Sequence, residues 1–378
     1  MHHTTQHSKN ILFVIDSYPP EIGGIATVFS QYVEEAQSEY DNVFVVTRNR
    51  KQKDALILRH QNNLHIISLN GNKAFFISQL WKQGRKICKK YKINLIHTTT
   101  IIAGPIGLLL AWRHQIPVLM TVHELFGSQW KQYYGLKGLF FHRRERLIFR
   151  LPCTQYHCVS HSTYNDLVSY YPHLKNKIQV IHNGIQNEES VISVKREQSA
   201  PTQFLYAGHT GKSKGTDVLI SAIDHLIAKT QKPCVIHFNI LTDKNTPRFL
   251  KSFKSLQKKI KTDAPHIHLK TSFDLTQSDF LHVLKKVDCC IIPSYSEGFS
   301  ILAAQASHMG KKIICSHLPV FQEVTSGEVL FFNRGDAHAL AENILHILDE
   351  KEIPFKEKNY LFSRTESRQQ MIEKYRSL

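Results

Sequence analysis

The chain has 378 residues, which at roughly 100–200 residues per domain means two domains or one large one. Hydrophobic residues make up 42 % and charged residues 21 %, ordinary globular usage that excludes a disordered chain, a collagen-like repeat and a disulfide scaffold. The net charge of +17 is concentrated, residues 51–150 holding 17 Lys/Arg against 3 Asp/Glu, and this points to an anionic partner such as nucleic acid, lipid head groups or a phosphorylated substrate.

From the N-terminus, the apolar residues 11–15 read as a buried first strand, followed by a helix over 26–40 and a strand over 43–47. A strand over 64–69 and a helix over 77–91 come next. Strands over 94–97, 118–122, 157–160 and 178–182 complete the first half. Buried strands alternating with helices predict a parallel sheet covered on both faces. The pattern lapses over the polar residues 186–201, read as a linker. It restarts with strands over 204–207, 235–241, 267–270, 289–292, 313–316 and 329–332. Helices over 216–230, 247–260, 276–286, 300–308 and 336–348 separate most of them, and a charged helical tail closes the chain. The expectation is an α/β protein of two doubly wound, Rossmann-like domains, 1–190 and 191–355, with the site in the cleft they face.

The longest apolar run, Ile101 to Trp112, meets Arg113 and His114 at once, whereas a spanning helix needs about 20 apolar residues. No secretory leader is legible, since residues 11–15 are few and end at Asp16. The seven cysteines form no CxxC pair and read as small buried hydrophobes of a reducing compartment. The 23 histidines show no cluster at ligand spacing, so no metal is expected. These features together describe a soluble, cytoplasmic protein.

Four motifs sit where a strand runs into a helix or ends at a cleft. Gly23 and Gly24 follow the first strand and precede a helix, where a backbone can approach an anion and the helix N-terminus supplies N–H groups; an ordinary turn is the alternative. The second domain opens similarly, with Gly208, His209, Gly211, Lys212, Lys214 and Gly215 between strand and helix, a composition that suits a diphosphate. A P-loop would need glycine at Tyr206 and is rejected. Glu297-Gly298-Phe299-Ser300 follows an apolar strand and opens a helix. A carboxylate beside helix N–H groups can read sugar hydroxyls and a phosphate together, although Ser294 three residues earlier also permits a capping box. His123 lies at the end of the strand over 118–122, toward the expected cleft.

The ordered set resembles the GT-B glycosyltransferases, in particular glycosyltransferase family four, over roughly residues 10–350. Thr121-Val122-His123-Glu124, Val180-Ile181-His182-Asn183-Gly184 and Glu297-Gly298-Phe299 carry the likeness with the two glycine loops. The resemblance implies a retaining transfer of a sugar from a nucleotide-diphosphate donor, with no metal or other cofactor. It implies that Gly23, Gly24, Gly208, His209, Lys212, Gly298, Phe299, Ser300 and Gln305 bind the donor. His123, Lys214 and Glu297 would serve at the reaction centre, Lys214 on the leaving diphosphate and Glu297 on sugar hydroxyls. It also implies that residues 356–378 form a helix packing back on the first domain. Three departures stand out. His209 occupies a position usually held by arginine, Gln305 replaces the second glutamate of a Glu-x7-Glu pair, and residues 239–245 lack the usual glycine-rich turn.

Residues 130–144 mix aromatics with cations. Trp130, Lys131, Arg143 and Arg144 are read as an acceptor-side or membrane-surface contact, placing the protein peripherally on the inner face of the cell membrane. A glycan or glycolipid acceptor in surface polysaccharide or glycolipid assembly suits that setting. The rival reading is a catalytically silent protein that binds anionic lipid or nucleic acid through its basic first domain. Nucleic acid is disfavoured because no helix-turn-helix, zinc finger or RNP-like strand is present.

Overall fold

The structure, a computed structural model, describes residues 8–50, 52–100, 102–185, 200–357 and 362–378. The chain divides into two units, Met1–Gly184 with Ser363–Leu378, and Ile185–Phe362. Residues 186–199 of the expected linker lie outside the described residues.

The first unit begins with β1 (Asn10–Val14), α1 (Gly24–Gln37) and β2 (Asn42–Arg48). Then come β3 (Leu56–Gln61), β4 (Leu64–Leu69), α2 (Lys73–Lys90), β5 (Leu95–Thr99), α3 (Ala103–His114) and β6 (Val118–Val122). The short α4 (Gln129–Tyr134) leads into α5 (Leu136–Ile148), followed by β7 (Gln155–Cys158), α6 (His161–Tyr170) and β8 (Ile178–Val180). The sheet order is β3-β4-β2-β1-β5-β6-β7-β8. Only β3 runs antiparallel to its neighbour, β4. Strands β1, β5 and β6 are buried along their whole length, which is why they read as unbroken apolar runs. Strand β3 was not expected. It is an edge strand with four exposed residues, among them Arg59 and His60, and its apolar start, Leu56-Ile57-Leu58, is too short to stand out as a buried strand.

The second unit contains β9 (Thr202–His209), α7 (Thr216–Leu226), β10 (Cys234–Leu241), α8 (Thr246–Asp263), β11 (Ile267–Phe273) and α9 (Gln277–Lys286). It continues with β12 (Cys289–Ile292), α10 (Ile301–His308), β13 (Lys312–Ser316), α11 (Pro319–Val324), β14 (Gly327–Phe332), α12 (Ala337–Leu348) and β15 (Phe355–Lys356). The order is β11-β10-β9-β12-β13-β14-β15, parallel except for β14 with β15. Its core is built from the buried faces of α7, α8 and α12 against β9 and β10, including Phe204, Leu219, Phe238, Phe253 and Ile344.

The last helix, α13 (Arg364–Arg376), belongs to the first unit. The charged tail therefore buries more than its composition announces. Met371 and Tyr375 are buried, Arg364 pairs with Glu34 of α1 at 2.7 Å, and Arg376 makes two 2.8 Å bonds to Glu39. All seven cysteines are free, and all but Cys88 are buried.

Candidate active site

In an open α/β sheet, ligands bind beyond the C-terminal ends of the strands, where the strand order reverses. In the second unit that point lies between β9 and β12. The segments leaving those strands are 210–215 and 293–300, two of the motifs singled out in the sequence. Gly215 lets them meet. Its φ is +65°, and a Cβ there would stand 1.9 Å from the Pro293 carbonyl oxygen, so only glycine fits. The Tyr295 N–H adds a backbone tie, donating to Ser213 O at 2.7 Å. As a result Lys214 Nζ lies 2.9 Å from Glu297 Oε1, and Ser294 Oγ donates to the same oxygen at 2.9 Å. The two charged side chains are 24 % and 12 % exposed, held in place yet open to a ligand.

Glu297 is therefore not the second half of a capping box. Helix α10 starts four residues later at Ile301, with Ser300 as its N-cap. Ser300 Oγ accepts from the Ala303 N–H at 3.4 Å, while its φ of +65° is a left-handed conformation for a residue with a side chain. Such strain costs on the order of 1–3 kcal/mol and gathers at functional sites. Gly298 is buried, and Phe299 meets Phe362 edge-on at 5.2 Å, which pins the turn. Gln305 is buried farther along α10.

The glycine loop of the same unit is held from below. The Tyr206 hydroxyl donates to His209 O at 2.9 Å. Thr210 Oγ1 donates to Asp243 Oδ1 at 2.7 Å, and the Asn245 N–H donates to the same oxygen at 2.7 Å. An aspartate-centred network thus occupies the 239–245 stretch. The side chains of His209 and Lys212 are exposed.

In the first unit the order reverses between β1 and β5. Asp16, just past β1, accepts from Ile102 N–H at 3.1 Å and Ala103 N–H at 3.2 Å, capping α3. Burial raises its pKa. Gly23 is the N-cap of α1 with φ +148°, and the exposed Gly24 opens the helix. His123 follows β6 and lies 5.5 Å from the Phe29 ring, edge-on. Its Nε2 is shut off from solvent with no partner among the described residues. Burial, reinforced by His157, pushes its pKa down to about 3, so it is neutral at pH 7.

A buried chain of hydrogen bonds that no motif announced crosses the same sheet. His157 Nε2 lies 2.7 Å from Ile181 O, which can only accept, so Nε2 carries the proton. Neutral His157 then accepts at Nδ1 from the Thr121 hydroxyl, at 3.1 Å. Thr121 accepts in turn from His97 Nε2 at 2.8 Å, and His97 Nδ1 accepts from the Tyr375 hydroxyl at 2.9 Å. The Tyr375 hydroxyl also lies 3.5 Å from Tyr32 O, but the Thr121 hydroxyl has one proton to give, so His97 must donate at Nε2 and accept at Nδ1, and the proton order is set throughout. Burial lowers the pKa of His97 strongly and that of His157 to about 4, which keeps both neutral.

Of the four acceptor-side residues, Lys131 and Arg143 are exposed, while Trp130 and Arg144 are half-buried. Trp130 Nε1 donates to Glu145 at 2.9 Å. Neither the Lys214–Glu297 pair nor the surroundings of His123 hold a group of three metal-ligating side chains among the described residues.

The model described as Glycosyltransferase Family 4 matches residues 22–189, and that described as Glycosyl transferases group 1 matches residues 201–350. Between them they take in most of the chain. The chain belongs to glycosyltransferase family four. An uncharacterized glycosyltransferase of Methanocaldococcus jannaschii is 24 % identical over 346 residues, 89 % of this chain and 88 % of that protein. Among solved structures, HepE of Anabaena in complex with UDP-glucose superposes with a TM-score of 0.70 at 16 % identity, covering 98 % of this chain and 100 % of that one. Sucrose-phosphate synthase from Thermosynechococcus elongatus gives 0.68 at 16 %, over 98 % and 94 %. The catalytic domain of starch synthase IV from Arabidopsis thaliana, bound to ADP and acarbose, gives 0.65 at 12 %, over 98 % of each chain. These likenesses establish the GT-B fold. In the second unit of this glycosyltransferase Lys214 and Glu297 are in contact, His209 is exposed and Gln305 is buried.

Proposed function

We propose that this glycosyltransferase moves a hexosyl or N-acetylhexosaminyl group from a nucleotide-diphosphate donor to an acceptor hydroxyl, with retention and without a metal. The observation that carries the reading is the Lys214–Glu297 pair at the sheet's switch point, 2.9 Å apart and partly open. In this reading Glu297 would accept from donor sugar hydroxyls. Lys214 would neutralise the diphosphate as the glycosidic bond breaks, helped by the open N–H groups of the first turn of α10, the helix that follows Glu297. That neutralisation makes a divalent cation dispensable. In a front-face reaction the departing diphosphate takes the proton of the attacking hydroxyl, and the new bond forms on the face just vacated. Neutral His123, its Nε2 without a partner among the described residues, would suit a hydroxyl of the bound sugar.

HepE holds UDP-glucose and the starch synthase domain holds ADP, so uridine and adenine donors head the list of candidates. A glycan or glycolipid of surface polysaccharide assembly is the acceptor class this reading favours. The test is proton NMR of the product formed from an α-linked donor in the presence of EDTA. An α-anomeric product formed at an unchanged rate is expected. A β-linked product would refute retention, and loss of turnover restored by magnesium would refute metal independence. No turnover with any donor, beside binding to anionic lipid or nucleic acid, would favour the catalytically silent reading.

A further inference from the structure

Helix α5 turns an apolar stripe to solvent. Leu136, Phe140, Arg143 and Leu147 recur at helical spacing on its outer side, with Leu139 next to them. Leu136 is 83 % exposed, Phe140 66 %, Leu147 59 % and Leu139 46 %. A surface helix ordinarily keeps such residues inside. Here the inner side is already occupied. A Cβ on Gly138 would lie 2.0 Å from Trp130 O, so α4 sits hard against α5. The Trp130 ring packs on Phe126 at 4.6 Å and on Phe141 at 5.2 Å.

The charges on this segment are equally one-sided. Glu145 is the sole carboxylate between residues 129 and 151. It is spent internally, accepting from Trp130 Nε1 and from the Gly127 N–H, both at 2.9 Å. Lys131, Lys137, Arg143, Arg146 and Arg150 are all exposed, with no ion pair among the described residues. Apolar side chains and unpaired cations therefore share one outward face.

We propose that this face docks on an anionic bilayer. The leucines and Phe140 would enter the boundary between head groups and acyl chains, and the cations would meet lipid phosphates. A second copy of the chain is the poorer occupant, because it would set one cationic face against another. Nucleic acid would leave the stripe in water. The contact shares Lys131 and Arg143 with the one read in the sequence and differs in Trp130 and Arg144; the structure packs the first inward and half-buries the second. The inference does not rest on the transfer reaction.

Sedimentation with vesicles tests it, using phosphatidylcholine alone and phosphatidylcholine mixed with phosphatidylglycerol. The wild-type protein is expected to pellet with the mixed vesicles only. Leu136→Ser with Phe140→Ser keeps every charge, and Arg143→Glu with Arg146→Glu keeps the stripe. Each pair is expected to lower partitioning about tenfold, with circular dichroism unchanged because the side chains are exposed. Full binding by the serine pair would overturn the apolar docking, and full binding by the glutamate pair would overturn the anionic partner. A wild-type protein that ignores both vesicles would overturn the proposal outright. Self-association lost in the serine pair, or duplex DNA binding lost in the glutamate pair, would then name the occupant instead.

Discussion

Lys214 and Glu297 lie 83 positions apart in sequence and 2.9 Å apart in space. Both were legible as candidates, since each stands in a strand-to-helix turn of suitable composition. Their contact was not legible. It depends on Gly215, whose missing side chain lets one loop reach the Pro293 carbonyl, and a lone glycine before a helix does not say what it must approach. Loss of the Lys214 charge should raise the barrier to departure of the diphosphate. Lys214→Ala is expected to lower kcat by about 10²–10³, the usual worth of one charge-stabilising donor, with a much smaller effect on KM for the acceptor. Steady-state kinetics checks this, and a variant with normal kcat would remove Lys214 from the reaction. Gly215→Ala should be worse tolerated than its size suggests, since both the left-handed φ and the close carbonyl oppose it.

Among the elements, the parallel strands were readable because full burial writes them as apolar runs. Strand β3 was missed because it is exposed at an edge; the C-terminal helix was expected, but not the tyrosine and methionine that α13 buries within a charged sequence. The tie from α13 into the sheet runs through His97, Thr121 and His157, three polar residues spread over three strands. No local spacing links them. Tyr375→Phe tests whether the chain acts as ordered above. It removes one hydroxyl and leaves buried His97 Nδ1 without its donor, at an expected cost of about 1–3 kcal/mol in urea unfolding. Nitrogen-15 NMR of the imidazoles adds a finer readout. The wild type should show His97 and His157 both protonated at Nε2. A wild type with either proton on Nδ1 would contradict the proton order.

For the whole molecule, the buried titratable groups set how stability responds to pH. His97, His123 and His157 have pKa values depressed by burial. Unfolding lets them bind protons that the folded state refuses. Their contribution is therefore intact above the ordinary histidine pKa of 6.5 and is lost as the pH falls below it. Glu35 acts oppositely. Burial against α13 raises its pKa from 4.5 to about 8, so the folded state keeps a proton that the unfolded chain releases. Its contribution is present at low pH and is lost as the pH rises through 8. Three histidines outweigh one glutamate on the acid side, so the unfolding midpoint should rise from pH 5 to a maximum near about pH 7 and then decline gently. Thermal unfolding across pH checks this, and a midpoint highest at pH 5 would contradict it. The basic character of the first unit was plain from composition, but the face that carries it outward was not, because exposure is a property of packing.

The most direct measurement is a thermal-unfolding panel of nucleoside diphosphates and their sugar conjugates, run on the wild-type protein and on Lys214→Ala. A ligand at 100 times its Kd adds about 2.7 kcal/mol to the folded state, an easily read shift. The account predicts stabilisation by the diphosphate and sugar conjugates of one base, and its loss when Lys214 is removed. No shift with any of them, or an equal shift in both proteins, would contradict a donor site built on the Lys214–Glu297 pair.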